Sequence, residues 1–205
     1  MTLLPPFMSD LVAIPTWSAV AALLVLVAVL AVLATATERT VLVVPALAVV
    51  GIGAYALLLG FDPQPPGALG PLVALALAVV GVVAGGPLAT LVLAAATRGG
   101  APDGDHGGII VPVDGAGTAR SKASTREVLR GGLTIGYLER VIVVAAVLVG
   151  RWELLAGLIA IKGLGRFRDL DAGAATERFI IGTLVSLTWA GACAGLIVLA
   201  WPTPW

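Results

Sequence analysis

Apolar stretches of about 20 residues recur along this 205-residue chain and constrain its fold more than any other feature. The clearest runs from Trp17 to Thr35 and is built mainly of Ala, Val and Leu without a charged residue. A helix of that length is about 30 Å long, which matches the hydrocarbon core of a bilayer. Charged residues make up 12% of the chain, whereas a soluble domain carries about 25%. The sequence therefore predicts an integral membrane protein.

The same stretches and the turns between them predict an all-α bundle of about six transmembrane helices in a single domain. The helices are expected at about 17–35, 41–60, 71–97, 127–150, 152–167 and 177–200. Ser124 with Glu127 forms a capping box before the fourth helix, and Thr176 is expected to cap the sixth. The apolar runs in the fourth and fifth helices are short, so four spans plus a re-entrant helical hairpin at 138–165 is the alternative.

Two segments depart from the simple helical pattern. Residues 98–124 are rich in Gly, Asp and Pro and predict a flexible cytoplasmic loop, in which the β-type run 109–113 suits a hairpin or an interfacial segment. Within the third helix, Gly85-Gly86-Pro87 predicts a kink or a break, because proline lacks the N–H group that the helix requires. Such a break either serves packing or forms a binding site of the kind that transporters use.

The distribution of Lys and Arg predicts the orientation. Nearly all of these residues flank the first, third and fifth connections, and Arg151 alone lies at the other side. The positive-inside rule then places those connections in the cytoplasm and both termini outside. Met1 to Trp17 contains no Lys or Arg, so the chain shows no basic start of a cleaved signal peptide, and the first helix is expected to remain.

Ionisable residues inside the apolar spans are confined to the fourth and fifth helices, at Glu139, Arg140 and Lys162. Folding the hairpin about Gly150 places Glu139 and Lys162 at matched depth, so an ion pair between the helices is expected. Arg140 is expected to extend towards the headgroups or to meet Glu177. The pair is either a structural lock that fixes the helix register or part of a proton or ion path, and both interpretations stay open.

Further candidate residues surround this pair or line the sixth helix. The predicted polar cluster comprises Glu139, Arg140, Lys162, Arg166, Glu177, Thr183 and Ser186. Small residues four apart form a helix-packing stripe at Gly182, Ser186, Ala190 and Ala194, which suits either internal packing or a homodimer face. Headgroup binding near the anionic leaflet is expected of Arg126, Arg130 and Arg168.

The last third of the chain resembles a known pattern. It contains Gly136-Tyr137-Leu138-Glu139-Arg140, then Lys162, then Arg166-Phe167-Arg168, then Glu177-Arg178-Phe179 followed by Gly182-Thr183 and Ser186. Over about residues 130–199 this order resembles an uncharacterised bacterial family of small multi-spanning inner-membrane proteins. The resemblance implies a bacterial inner membrane and carries no activity with it.

No catalytic arrangement is evident in the sequence. His106 is the only histidine and Cys193 the only cysteine, and the chain has no phosphate-binding Gly-Lys-Ser/Thr loop. We therefore expect no enzyme activity, cofactor, metal site or nucleic-acid partner. The sequence favours a non-enzymatic accessory, scaffolding or regulatory subunit that packs in the bilayer against a membrane partner or a second copy. The alternative is a small transporter or channel that uses Glu139 and Lys162.

Overall fold

The computed structural model describes residues 6–61, 65–96, 103–104, 108–109, 132–166 and 173–201. This part of the chain is almost entirely helical. The helices are α1 (Pro6–Ala36), α2 (Val44–Leu58, preceded by a 3-10 turn at Thr40–Val43), α3 (Leu69–Ala96), α4 (Gly132–Leu148), α5 (Trp152–Arg166) and α6 (Gly173–Ala200). A minimal antiparallel pair, β1 (Asp103–Gly104) and β2 (Gly108–Ile109), lies in the third connection.

Four segments are long and apolar enough to cross a membrane: Ala13–Ala36, Thr40–Leu58, Leu69–Ala96 and Thr176–Ala200. The other two helices are shorter. α4 has 17 residues and α5 has 15, which correspond to about 25 Å and 22 Å. The all-α prediction with six helices therefore agrees with the structure, and four of the six have the length of a full span.

Several predicted boundaries differ from the structure. α1 begins at Pro6, eleven residues before the predicted start at Trp17, with Pro15 inside it. α6 begins at Gly173, so Thr176 lies inside the helix and the prediction that it caps the helix is wrong. The capping box at Ser124 and Glu127, and most of the run 109–113, fall outside the described residues.

Of the kink or break predicted at Gly85-Gly86-Pro87, the break is wrong, because α3 continues through Pro87 to Ala96, and the kink stays a prediction. Proline removes one backbone N–H, so the carbonyl of Val83, four residues earlier, loses its usual helical donor. α3 nevertheless stays helical, and Val80, Ala84 and Leu88 around this segment are buried in the core. The side chain that packs beside this segment is that of Arg140 on α4.

Successive helices run in opposite directions, so connections alternate between two ends of the bundle. We call the end where α1, α3 and α5 finish the lower end, and the opposite end the upper end. The antiparallel pairing of α1 with α6 is visible at the upper end, where the Trp17 and Trp201 rings lie 6.4 Å apart between centroids. Central positions belong to α3 and α6; α1 and α4 flank them, while α2 and α5 lie at the periphery.

The core is built from small and medium apolar residues on the facing sides of the helices. Its members include Leu24, Val27, Val43, Val80 and Trp189. Large apolar side chains also cover the outside of the bundle: Leu26, Ile52, Leu58, Ile161, Leu164 and Leu199 are all exposed. A continuous apolar exterior of this kind is unfavourable in water and suits contact with lipid or with another protein.

Candidate functional site

Arg140 of α4 lies in the packed interior between α3 and α6, with a relative exposure of 3%. Its Nε donates a hydrogen bond to the backbone carbonyl of Val82, and its Nη1 donates to Ser186 Oγ at 3.0 Å. The guanidinium carbon also lies 4.9 Å from the centroid of the Tyr137 ring, within range of a cation–π interaction. One side chain therefore joins three helices.

Three glycines make the space that Arg140 occupies. A Cβ added to Gly85 would lie 2.5 Å from Arg140 Cδ, and one added to Gly136 would lie 3.2 Å from Nη1. Gly86 faces the same guanidinium group. Gly85 and Gly86 follow Val82 by three and four residues, so no side chain of the next helical turn covers the Val82 carbonyl. The glycine pair thus exposes a backbone acceptor to a donor from another helix.

This position corrects the expectation that Arg140 extends to the headgroups or meets Glu177. Glu177 is exposed on α6, and no contact between the two side chains occurs in the described part of the chain. Extension was expected because a charge is costly in an apolar interior. Here the carbonyl, the hydroxyl and the aromatic ring replace water around the guanidinium group, so the side chain remains inside.

Glu139 and Lys162 form an ion pair that links α4 to α5. Lys162 Nζ donates to Glu139 Oε2, and the ammonium group also lies 5.6 Å from the centroid of the Phe179 ring on α6. Glu139 is 6% exposed, whereas the Lys162 side chain retains 19% exposure. The pair therefore sits at the edge of the bundle, beside the more deeply buried Arg140.

The small-residue stripe of α6 packs inside the chain. Ala190 and Ala194 are fully buried, and Ser186 is 7% exposed. On the opposing α3, a Cβ added to Gly81 would lie 3.0 Å from Cys193 Cβ. We call this contact, formed by Gly81 and Gly85 of α3 and by Ser186, Ala190, Cys193 and Ala194 of α6, the α6 seam. Of the two uses predicted for the stripe, the structure shows internal packing.

A second group of small residues, on α5, has no such neighbour in the described part of the chain. We call Ala156, Gly157, Ala160 and Gly163 the open α5 face, because all four are exposed. A Cβ added to Gly157 or Gly163 would meet no atom within 4 Å. These residues lie on the side of α5 away from Leu155, Leu158 and Lys162, which face α4. The helix is attached to the described part of the bundle mainly through α4.

The remaining predicted residues are less informative. Thr183 and Gly182 are half-buried on α6, and a Cβ on Gly182 would lie 3.5 Å from Leu93 of α3. Arg166 ends α5, but its side chain is outside the described part. Arg126, Arg130 and Arg168 lie outside the described residues altogether.

Sequence reasoning missed most of the partners of Arg140. Val82 takes part through its carbonyl, which no side-chain pattern reveals. Trp189 uses the same kind of acceptor, since its Nε1 donates to the Val80 carbonyl at 3.2 Å. The glycine pair beside Pro87 was the available signal, because glycines let another group approach a helix backbone closely.

Comparison with protein-family models, with curated proteins and with solved structures gives no match for this chain.

Proposed function

We propose that the chain is a multi-pass bacterial inner-membrane protein without enzymatic activity, which serves as an accessory, scaffolding or regulatory subunit. It packs against a membrane partner through the open α5 face. The observation that carries the proposal is the contrast between this face and the α6 seam: the same residue types are buried on α6 and uncovered on α5.

Small residues are informative on a membrane helix because lipid gives them little to contact. Gly and Ala let two helix backbones approach closely, and helix association in bilayers relies on the resulting van der Waals contacts. Ala156 and Ala160 are four residues apart, and Gly157, Ala160 and Gly163 are three apart, so they project from one side of the helix. An uncovered face of this composition suits a second helix better than lipid chains.

We further propose that all six helices span the membrane, with both termini outside. Arg151 and Glu153, at the turn between α4 and α5, are both exposed. A charged residue left inside the bilayer costs at least about 2.5 kcal/mol, so this turn should reach the aqueous phase. A re-entrant hairpin at 138–165 would instead leave this turn inside the bilayer.

Cysteine labelling tests this topology. In a Cys193→Ala background, a cysteine at Trp152 should react in intact cells with a reagent that does not cross the membrane. A cysteine at Thr37, at the lower end, should react only after the cells are opened and serves as the control. Protection of Trp152→Cys in both preparations would support the re-entrant hairpin and overturn the six-span topology.

Site-specific photocrosslinking tests the docking face. A photoreactive amino acid at Ala160 should give a discrete protein adduct in native membranes, while the same group at Leu26, an exposed apolar position on α1, should give none. Gly157→Leu with Gly163→Leu should abolish the Ala160 adduct because added side chains keep the partner helix away. Absence of an Ala160 adduct, or adducts of equal yield at both positions, would contradict the proposal.

The alternative function is a small transporter or channel. The favouring observation is the Glu139–Lys162 pair, which joins two helices and keeps part of Lys162 exposed. This alternative predicts proton or ion flux in liposomes that Glu139→Gln abolishes while the protein stays folded. If the wild-type chain gives no flux above empty liposomes, the alternative is rejected.

A further inference from the structure

The charges around Glu139 do not balance within the described part of the chain. Glu139 is the one buried carboxylate there, whereas Arg140 and Lys162 bring two cations into the same region. The acceptors described for Arg140, the Val82 carbonyl and Ser186 Oγ, are both neutral. The cluster therefore carries one excess positive charge, which is unfavourable in apolar surroundings unless an anion accompanies it.

Lys162 is the cation that an incoming anion can reach. Its side chain is 19% exposed, whereas Arg140 is 3% exposed. It lies four residues before the end of α5, or about 6 Å from the lower end of that helix. Its ammonium group has three N–H donors, and the one described acceptor is Glu139. A flexible lysine at this depth can extend towards the headgroup region.

The chemistry of the lower end favours a phosphate group as that anion. The stretch 166–178 that follows Lys162 contains three arginines and three carboxylates and so has no net charge. The positive charge at this end therefore comes from the cluster itself. Anionic phospholipid headgroups are the anions concentrated at a membrane surface, and basic residues attract them. The Phe179 ring beside the ammonium group adds an apolar wall next to the charge.

We propose that Lys162, with the excess charge of the Glu139–Arg140–Lys162 cluster behind it, binds the phosphate of an anionic phospholipid at the lower end between α5 and α6. This site rests on the membrane location proposed above and not on the docking of a partner. Lys162 faces α4, whereas the open α5 face points away from α4. A lipid and a partner helix can therefore occupy different sides of α5.

Native mass spectrometry of the full chain, with phosphatidylglycerol and phosphatidylcholine in competition, tests the site. The wild-type chain should retain phosphatidylglycerol preferentially, and added salt should weaken that preference. Lys162→Gln should reduce it about fivefold, the factor for one cation at an anionic surface. Lys162→Arg should keep it. Arg151→Gln, which removes an exposed cation at the upper end, is the matched control and should leave it unchanged.

Glu139→Gln should change the preference for phosphatidylglycerol in the opposite direction. Removing the carboxylate leaves two uncompensated cations, so this variant should prefer phosphatidylglycerol more strongly than the wild type and should be stabilised more by it. A folded Glu139→Gln chain with a weaker preference would overturn the proposal, and so would an unchanged preference in Lys162→Gln. If Glu139→Gln does not fold, the comparison of Lys162→Gln, Lys162→Arg and Arg151→Gln still tests whether Lys162 binds the lipid.

Two further measurements distinguish a lipid from free phosphate as the ligand, and the lipid site from the docking face. Displacement of phosphatidylglycerol by inorganic phosphate would identify free phosphate as the ligand and overturn the lipid assignment. The double variant Gly157→Leu and Gly163→Leu should lose the partner adduct while it retains the lipid preference. Failure of the docking proposal is thereby distinguished from failure of the lipid site.

Discussion

The α6 seam and the open α5 face contain the same kinds of residues at similar spacing. The α6 seam is packed between two helices, whereas the open α5 face is exposed. In the α6 seam, Gly81 and Cys193 meet so closely that a Cβ on the glycine would lie 3.0 Å from the cysteine Cβ. On α5, a Cβ on Gly157 or Gly163 would meet nothing within 4 Å. Small residues therefore permit close packing in both places, and only the presence of a neighbouring helix decides whether it occurs.

The largest effect is expected when a larger side chain is introduced into the α6 seam. Gly85→Leu should lower the free energy of unfolding by about 3 kcal/mol, because the new side chain displaces Arg140 from its contact with α3. Unfolding of the purified chain, followed by tryptophan fluorescence, measures the change. Gly51→Leu is the control, since Gly51 is an exposed helical glycine with no atom within 4 Å of an added Cβ. Equal losses in the two variants would contradict the tight packing of the α6 seam.

The second test concerns the polar link between the two surfaces. Glu139→Gln should destabilise the chain by about 2.5 kcal/mol in neutral lipid, because it leaves Arg140 and Lys162 without a carboxylate in apolar surroundings. Lys162→Gln should cost less, since the charge of the neighbouring Arg140 still offsets that of Glu139, whereas Glu139→Gln leaves two cations. Unfolding measurements on both variants check the order, and a larger loss in Lys162→Gln would show that Glu139 depends on Lys162 and not on the charge of Arg140.

A smaller effect is expected within the α6 seam itself. Ser186→Ala should cost about 1 kcal/mol, the typical net value of one hydrogen bond, because Arg140 keeps the Val82 carbonyl as acceptor. The half-buried Thr183, one turn earlier on α6, provides the control as Thr183→Ser, which retains its hydroxyl. The same unfolding experiment applies, and a loss as large as that of Glu139→Gln would show that Ser186 holds more than this one bond.

The smallest stability effect is expected on the open α5 face. Gly157→Leu with Gly163→Leu should change the free energy of unfolding by less than about 0.5 kcal/mol, since both positions are open. Unfolding of the isolated chain provides the measurement, without any partner present. A loss comparable to that of Gly85→Leu would mean that the face is already covered within the chain and would remove the basis of the docking proposal.

Much of the fold was predictable because apolar length and turn residues specify membrane-type helices directly. Helix six showed its small-residue stripe in the sequence, and the matched depth of Glu139 and Lys162 followed from helix geometry. The interior position of Arg140 was not predictable. It depends on a backbone carbonyl and on glycines from a helix more than 50 residues away, and a sequence reveals neither the acceptor nor the proximity.

The exposure of the open α5 face was not predictable from the sequence, for a different reason. Ala156, Gly157, Ala160 and Gly163 are as visible in the sequence as the stripe on α6. Whether such a stripe is already covered depends on which helices pack together, and only the arrangement of α5 beside α4 shows this. The composition of a helix thus indicates a capacity for packing, while the architecture shows whether that capacity is used.

The short lengths of α4 and α5 have a consequence for the surrounding bilayer. The two helices are about 25 Å and 22 Å long and are therefore shorter than a hydrocarbon core of about 30 Å. The charged turn that joins them favours contact with water. In the six-span topology proposed above, lipids next to α5 would have to compress to match the two helices, and each ångström of such hydrophobic mismatch costs a fraction of a kilocalorie per mole. A partner helix on the open α5 face would replace those strained lipids with protein. In that topology the thinned bilayer and the uncovered face would lie on the same side of the molecule, so relief of membrane deformation would add to the contacts that hold the proposed partner.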